Sequence, residues 1–405
     1  MLKLIQAGRG VNMEDVIIKR ARELSEYIIE RRRDFHMYPE LKYEEKRTSS
    51  IVEEELKKLG YEVVRVAETG VIGILKGKSS GRTVALRADM DALPVNEEND
   101  VPYKSRIPGK MHACGHDAHT AMLLGAAKIL AEIRDHIRGT VKLIFQPAEE
   151  GGLGAKRVVE EGPLDDVNAF FGIHVWAELE SGKIGIRSGP ALASADAFRI
   201  ELRGKGGHGA SPHLSIDPIA AAVDIVNGLQ KIISREIDPL EPAVISVTTI
   251  RAGTTFNVIP ERAEILGTIR TLNKKVREYI VKRLKEVAES YGKAMRCEVS
   301  AEISMENIPV TENDPNLAEF ARNVLSKVFG SENIVEQNVT MGAEDFSFYS
   351  LKAPSLFIVL GIKNEEKGIV YPHHHPKFDV DEDVLWMGAA IYSLLAYKFL
   401  EGSLR

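Results

Sequence analysis

The amino-acid sequence predicts an α/β protein built from two domains. The chain has 405 residues and 44% of them are hydrophobic, which suits roughly two to three folded domains with buried cores. Between residues 83 and 175, short apolar stretches alternate with helical ones, a pattern typical of a largely parallel sheet. From about residue 187 the pattern changes to two long helices and four strands, which predicts an inserted α+β domain.

The elements of the first domain follow from the spacing of apolar residues along the chain. The predicted helices are residues 14–33, 44–59, 118–134, 153–161, 315–328 and 382–399. The predicted strands, which follow a hairpin at 61–76, are residues 83–88, 141–145, 169–175 and 355–360. Helices and strands that alternate in this way predict a sheet packed against helices.

The insert has its own order of elements. Its predicted strands and helices are residues 197–202, 217–235, 243–250, 262–270, 274–292 and 296–304, with a glycine-rich turn at 204–209. The resulting β-α-β-β-α-β order is that of a split βαβ, or ferredoxin-like, unit. An acidic stretch at 305–314 reads as a loop that returns the chain to the first domain. The predicted segments are therefore 1–186, 187–306 and 307–405.

The net charge restricts the classes of partner, and the cysteine content indicates a cellular compartment. The formal net charge is −6 and the pI is about 6.1, so we expect no nucleic-acid partner and a small-molecule substrate instead. Two cysteines without a disulfide pattern favour the cytoplasm. No apolar run approaches about 20 residues, so no membrane segment is predicted. The chain has only four glutamines and 28% charged residues, a composition that favours a thermophilic source.

The densest group of metal-seeking side chains is MHACGHDAHT at residues 111–120. It holds a thiol, three imidazoles and a carboxylate. Cys114 and His116 are separated by one glycine, which lets both side chains reach a common ion. A small buried cysteine beside a hydrogen-bonded histidine would have the same local sequence.

Further candidates stand at the ends of predicted strands. Asp89 and Asp91 follow the first strand, Glu149 and Glu150 follow the second, and His174 ends the third. Carboxyl ends of parallel strands share one edge of a sheet, so these groups could converge there. A solvated acidic pair and a core histidine remain open alternatives.

A triple histidine, residues 373–375, lies between prolines near the C-terminus. It could equally be an exposed loop. Four separate places nevertheless offer ligands suited to a borderline-soft divalent ion. Together they predict a metal-dependent hydrolase in which one carboxylate of the acidic pair binds metal and its neighbour is a general base.

Eight motifs, spread from about residue 30 to the C-terminal helix, resemble those of one family. They are RADMDALP (87–94), MHACGHDAHTAMLLGAA (111–127), QPAEEGGLGA (146–155), GIHVW (172–176), GKGGHGASPH (204–213), FNVIP (256–260), MGAEDFSFY (341–349) and HHHPKFD (373–379). The chain resembles the metallopeptidase-related amidohydrolases, which include aminoacylases, hippurate hydrolases, plant auxin-conjugate hydrolases and archaeal thermostable carboxypeptidases.

The resemblance implies an architecture and a cofactor. The expected fold is a zinc-peptidase-like mixed sheet with helices on both faces, interrupted by a ferredoxin-like lid and dimerisation domain. The expected assembly is a homodimer or homotetramer formed through that lid. Two divalent ions are expected in each subunit. Zinc is the first choice because a thiolate favours it, with manganese, cobalt or nickel as alternatives.

The resemblance also implies roles for individual residues. The metal ligands it implies are Cys114, His116, Glu150, His174 and His374, with His375 as the competitor for the last place. Glu149 matches the general base that acts on a metal-activated water. His208 matches a residue that stabilises the oxyanion, reaching the neighbouring subunit's site. Asn257 and Arg270 are candidates for gripping the substrate carboxylate, and Asp91 for orienting a ligand imidazole such as His116.

The expected reaction is hydrolysis of the amide bond of an N-acyl-amino acid, giving a carboxylic acid and a free amino acid. A carboxypeptidase or dipeptidase acting on short or N-blocked peptides is the alternative, because it would cleave the same type of bond. A metal-binding module without catalysis is a more distant alternative, and it predicts a closed coordination shell without a carboxylate poised as base.

Overall fold

The computed structural model describes residues 12–402, without the side chains of residues 304–306. The chain forms two compact units. The first comprises the described residues up to Gly189, Glu312–Asn338, and those from Phe348 onwards. The second comprises Pro190–Thr311 and Val339–Ser347. Each unit has a hydrophobic core of its own.

The first part of the chain supplies most elements of the first unit. Its helices are α1 (Met13–Glu23), α2 (Ser25–Met37), α3 (Lys46–Lys58), α4 (His116–Glu132) and α5 (Gly154–Glu161). Its strands are β1 (Glu62–Val66), β2 (Gly70–Lys76), β3 (Ser79–Asp89), β4 (Arg138–Gln146), β5 (Val167–Glu180) and β6 (Ile184–Ile186). The single helix predicted at 14–33 was wrong, because Leu24 ends α1. Each helix then buries its own apolar residues, Ile17 in α1 and Phe35 in α2.

The second unit contains an antiparallel sheet and two long helices. Its elements are β7 (Ser194–Arg203), α6 (Pro218–Lys231), β8 (Ala243–Ala252), β9 (Arg262–Thr271), α7 (Lys274–Ala294) and β10 (Glu298–Ile308). The strand order is β8-β9-β7-β10. The β-α-β-β-α-β order of the prediction is present. The loop predicted at 305–314 begins too early, because β10 continues to Ile308, which pairs with Ala195 of β7 after a register shift.

The chain then returns to the first unit and completes its sheet. The added elements are α8 (Pro315–Phe329), β11 (Ile334–Glu336), β12 (Ser355–Lys363) and α9 (Leu385–Glu401). The strand order of the eight-stranded sheet is β1-β2-β4-β3-β5-β12-β6-β11. Its centre, β4-β3-β5-β12, is parallel, and β1, β2 and β6 bring antiparallel pairings. The predicted α/β fold with a mixed sheet is confirmed.

Helix α4 lies in the centre of the first unit's core. A side chain at Gly125 would come within 2.8 Å of Ile28 in α2 and 3.0 Å of Ala389 in α9, so glycine permits the close approach of three helices. Residues Glu382–Glu401 are long and apolar enough to cross a membrane by composition alone. However, 78% of the apolar window is buried inside the protein, as is usual for a core helix.

Candidate metal centre

Three neighbouring parallel strands bring their carboxyl-end residues to one edge of the sheet. Asp89 at the end of β3 is in register with Gln146 at the end of β4. On the other side, Arg87 is in register with Gly172 of β5, so His174 lies two residues further along. The expectation that His174 ends its strand was wrong. Strand β5 continues to Glu180 because β12 pairs with it beyond this point, with Val359 opposite His174.

Residues 114–116 form the turn from a loop into α4. Gly115 has φ of 87°, and His116 is the first residue of the helix. A Cβ atom at Gly115 would lie 2.4 Å from the Val175 side chain. Two features therefore require glycine at this position: the left-handed backbone and the close approach to β5. This approach places Cys114 Sγ 3.5 Å from His174 Nε2.

The acidic pair lies in an irregular turn, Glu149–Gly152. Ala148, just before it, has φ of 53°, and Gly151 has φ of 71°. The Asp91 carboxylate accepts hydrogen bonds from the backbone N–H groups of Glu149 and Glu150, each 2.9 Å long. Asp91 Oδ1 also lies 3.3 Å from His116 Nδ1. Its position supports the predicted orienting role and adds a second one, because it holds the backbone of the turn.

Several groups of three side chains in the described part of the chain could each hold a metal ion. Three of these groups share members and form one cluster. Within each group the ligand atoms all lie within 4.8 Å of one another. The groups are Cys114 with His116 and His174, Cys114 with Glu150 and His374, and His116 with Glu149 and Glu150. The structure therefore brings together all six residues predicted as ligands or general base. Cys114 is common to the first two groups, and the third group shares His116 with the first and Glu150 with the second.

The three consecutive histidines have different surroundings. His374 Nε2 lies 3.2 Å from Glu150 Oε1, and its backbone has φ of 66°. His373 Nε2 accepts a hydrogen bond from the backbone N–H of Ala177 (3.1 Å). His375 Nδ1 accepts one from the N–H of Lys377 (3.0 Å), and its ring stacks on Tyr371. This geometry favours His374 over His375 as the ligand of the loop.

The cluster has the electrostatics expected of a cation site. Among the described residues, both ring nitrogens of His116 and Glu150 Oε1 are buried without a hydrogen-bond partner. Burial opposes a charged His116 ring, yet the neighbouring Asp89 and Asp91 raise its pKa well above the usual value. The contacts with Cys114 and Glu150 raise the pKa of His374 to about 10. The surrounding negative groups thus favour positive charge, which a bound metal ion would supply.

His174 has the tautomer that a ligand needs. Burial holds the pKa of His174 well below its usual value, so the ring is neutral at neutral pH. Its Nδ1–H donates to the backbone carbonyl of Val175 (2.5 Å). The lone pair of Nε2 is then directed at Cys114, and the backbone hydrogen bond fixes the ring orientation, as is common for metal-ligating histidines.

A fourth group, Asp89 with His116 and His119, is different. His119 Nε2 accepts a hydrogen bond from the backbone N–H of Val175 (2.9 Å), and its Nδ1 lies 2.6 Å from Asp89 Oδ1. The first contact requires a bare Nε2, so the proton is on Nδ1 and points to Asp89. Both nitrogens are used, and His119 supports Asp89. From the sequence, Asp89 was a candidate at a strand end without an assigned role, and His119 was only one of the imidazoles in residues 111–120.

A buried ionic cluster next to His116 was not predicted from the sequence. Arg32 Nε donates to Asp117 Oδ2 (2.9 Å), and His36 Nδ1 lies 2.8 Å from the same oxygen. Arg32 also donates to Asp379 (2.7 Å). Burial would raise the pKa of Asp117, but Arg32 and His36 hold it well below the usual range. The sequence predicted Arg32 only as part of a helix at residues 14–33, and its charged neighbours give no sign that its side chain is buried.

The remaining site candidates belong to the second unit. His208 is exposed and lies in a short strand paired with Val258. The N–H of Gly209 donates to the carbonyl of Asn257 (2.8 Å), so His208 and Asn257 stand on adjacent segments. Arg270 lies on β9 opposite Ala195, and its Nη1 is buried without a hydrogen-bond partner among the described residues. The roles of these three residues stay predictions.

Comparisons with known proteins place the chain in a family. The family model described as Peptidase family M20/M25/M40 matches residues 85–398. Thermostable carboxypeptidase 1 of Saccharolobus solfataricus is 47% identical over 387 residues, covering 93% of this chain and 96% of the relative. IAA-amino acid hydrolase ILR1-like 4 of Arabidopsis thaliana is 44% identical over 373 residues, covering 91% and 84%.

A solved structure supports the same assignment. A dinuclear metal-binding peptidase of the M20 family from Bacillus subtilis is 36% identical, with a TM-score of 0.83, and the match covers 94% of this chain and 99% of that one. The chain therefore belongs to Peptidase family M20/M25/M40 and is a metal-dependent hydrolase of amide bonds.

Proposed function

We propose that this protein hydrolyses the amide bond of N-acyl-amino acids, releasing a carboxylic acid and a free amino acid. The observation that carries the proposal is the cluster itself. Two three-donor groups share Cys114, and the Glu149 carboxylate lies within 4.8 Å of donors on His116 and Glu150. This arrangement would hold two ions side by side with a carboxylate next to them.

The proposed ligands are Cys114, His116, Glu150, His174 and His374. Bound divalent ions would lower the pKa of water towards neutrality and polarise the scissile carbonyl. Glu149 is proposed as the general base, which takes a proton from the attacking water and delivers it to the leaving nitrogen. Its backbone N–H is held by Asp91, so the carboxylate has a defined place from which to act. Zinc is the proposed metal because a thiolate and three imidazoles suit a borderline-soft ion.

The names of relatives support the substrate class. One is an IAA-amino acid hydrolase, whose name describes an acyl group on an amino acid, and another is a carboxypeptidase. Both names fit cleavage of an amide beside a free carboxylate. The second candidate function is therefore a carboxypeptidase or dipeptidase that uses the same centre.

We further propose that residues of the second unit bind the substrate and pair the subunits. His208 would stabilise the oxyanion of a neighbouring subunit's site, and Asn257 and Arg270 would grip the substrate carboxylate. Exposed apolar side chains around His208 support pairing of subunits through residues 187–306, since Leu214, Val258 and Phe256 are 65%, 49% and 100% exposed. A homodimer or homotetramer in the cytoplasm is the proposed state, and the two free cysteines suit a reducing compartment.

The test is amino-acid release by metal-stripped protein reconstituted with zinc, manganese, cobalt or nickel. The substrates are N-acetyl- and N-benzoyl-amino acids and N-blocked dipeptides. We expect metal-dependent release from the acyl-amino acids, and we expect Glu149→Gln to retain metal but lose at least ~1,000-fold in kcat. Glu160→Gln, on an exposed face of α5, is the matched control.

The outcomes separate the candidates. Release mainly from the blocked dipeptides would favour the carboxypeptidase. No release with any ion would overturn the proposal for these substrates and favour a metal-binding module without catalysis.

A further inference from the structure

The Glu149–Gly152 turn has a backbone that its own residues do not favour. Ala148 and Leu153, which flank it, both have positive φ values, 53° and 56°. Glu150 and Gly151 inside it are not helical. Non-glycine residues persist in the left-handed region only where their surroundings hold them there. The turn therefore needs partners elsewhere in the chain.

A short segment before α3 supplies these partners. Lys42 Nζ donates to the carbonyls of Glu150 (3.2 Å) and Gly151 (3.4 Å). The Tyr43 hydroxyl donates to the carbonyl of Gly152 (2.6 Å). Glu45 Oε1 accepts a hydrogen bond from the backbone N–H of Ala148 (2.9 Å). Three side chains within four residues thus bind the backbone of the turn.

These partners are themselves fixed. Glu45 is fully buried, and its Oε2 accepts a hydrogen bond from the Thr69 hydroxyl (2.6 Å). The Tyr43 ring packs so closely that a Cβ atom at Gly152 would lie 3.2 Å from it and 2.6 Å from the Ala148 methyl group. Because the Tyr43 ring packs against the turn and both carboxylate oxygens of Glu45 are hydrogen-bonded, the turn cannot shift without breaking these contacts.

We propose that Lys42, Tyr43 and Glu45 form a positioning clamp that holds the Glu149–Gly152 turn in the geometry needed for its two carboxylates. The inference rests on the proposed function, in which Glu149 is the base and Glu150 a ligand. Asp91 holds the N–H groups of both glutamates, and the clamp holds the backbone groups around them. The clamp acts through the backbone of the turn, and none of its three residues is a proposed ligand or the proposed base.

This role predicts a specific kinetic pattern. A turn released from its clamp would misplace the ligand and the base together. We therefore expect weaker metal binding and a lower kcat, with little change in KM because substrate contacts are untouched. Loss of residues that orient metal ligands commonly costs about 10- to 100-fold in affinity or activity.

The experiment compares Tyr43→Phe and Glu45→Gln with two matched controls. Tyr61→Phe removes a buried hydroxyl that donates to the carbonyl of Ala127 in α4. Glu40→Gln alters a carboxylate that accepts from the N–H groups of Arg47 and Thr48 at the start of α3. Each protein is stripped of metal and titrated with cobalt, its visible spectrum is recorded, and kcat and KM are measured on an N-acyl-amino acid.

We expect both clamp variants to lose about 10- to 100-fold in kcat and in cobalt affinity and to change the cobalt spectrum. The controls should keep wild-type values even where their melting temperatures fall. Wild-type kcat, affinity and spectrum in the clamp variants, with only a lower melting temperature, would overturn the clamp. If Glu45→Gln does not fold, Tyr43→Phe decides alone, since it keeps the packed ring. If the wild type releases no amino acid, the proposed function fails, and the cobalt titration still tests the clamp.

Discussion

At the scale of single residues, the backbone decides which histidine of the triple faces the cluster. His374 has positive φ, and its N–H donates to the carbonyl of Ala113 (2.8 Å), next to Cys114 in the chain. This hydrogen bond connects the loop at residues 373–375 to the loop that contains Cys114. His373 and His375, on either side, use a ring nitrogen for a backbone N–H instead.

The contrast between neighbouring histidines gives a prediction. We expect His374→Asn to lower the affinity of stripped protein for zinc at least ~10-fold, because a ligand of the cluster is lost. His375→Asn should leave the affinity near the wild-type value, since asparagine can still accept from the N–H of Lys377. Competition titration with a chromophoric zinc chelator measures both. The assignment is wrong if the two variants exchange these results.

Among single residues, the local sequence does not distinguish the proposed ligands from the residues that support them. His116 and His119 lie one turn apart on α4, and both are buried. Neither ring nitrogen of His116 has a hydrogen-bond partner among the described residues, whereas those of His119 contact the backbone N–H of Val175 and the carboxylate of Asp89. The difference depends on β3 and β5, which are distant in sequence.

At the scale of elements, Arg32 contacts the helix and the loop that carry proposed ligands, and a third segment before α9. From α2 it reaches Asp117 in the first turn of α4, Asp379 after the histidine loop, and Glu382 before α9. Its side chain and that of Asp117 are both fully buried. Removing the arginine would leave the buried Asp117 carboxylate with only His36 opposite it, and loss of one partner from a buried ion pair is costly.

We therefore expect Arg32→Met to lower the free energy of unfolding by about 3–5 kcal/mol. The adjacent Arg33 is the matched control, because it also pairs with Glu382 but its side chain is 45% exposed. Arg33→Met should cost only about 0–1 kcal/mol. Urea unfolding followed by fluorescence compares the three proteins. Equal losses for both variants would show that burial of the ion pair is not the cause.

At the scale of the whole molecule, two units with separate cores should respond differently to metal. The five proposed ligands, Cys114, His116, Glu150, His174 and His374, belong to the first unit. An ion that binds the folded site stabilises that unit by mass action, by about 4 kcal/mol at 1,000 times the dissociation constant. The core of the second unit contains none of these ligands.

Removal of metal should consequently be a local event. We expect chelation to lower the main melting temperature and to speed hydrogen exchange in segments 114–119 and 148–153. Exchange in β9 of the second unit should stay unchanged. Hydrogen–deuterium exchange with mass spectrometry, with and without chelator, measures this, and restored zinc should reverse it. Equal acceleration in β9 would contradict the prediction.

The class of fold and the chemical type of the site could both be predicted from the amino-acid sequence. Alternating apolar stretches predicted the parallel centre of the sheet, because periodicity is a local property. Motifs such as residues 111–120 and the Glu149-Glu150 pair pointed to a metal-dependent hydrolase, since ligand types are visible in the chain. Local patterns could not predict the three-residue strands β6 and β11, whose pairing depends on distant partners.

The different roles of those groups became visible only in the three-dimensional structure. It favoured His374 over its neighbours, assigned His119 to the support of Asp89, and gave Arg32 and Glu45 buried partners in segments far along the chain. Such roles depend on distances between residues that the sequence separates by up to hundreds of positions. A charged residue of a helix looks alike in sequence whether it faces solvent or a buried carboxylate, and packing alone distinguishes the two.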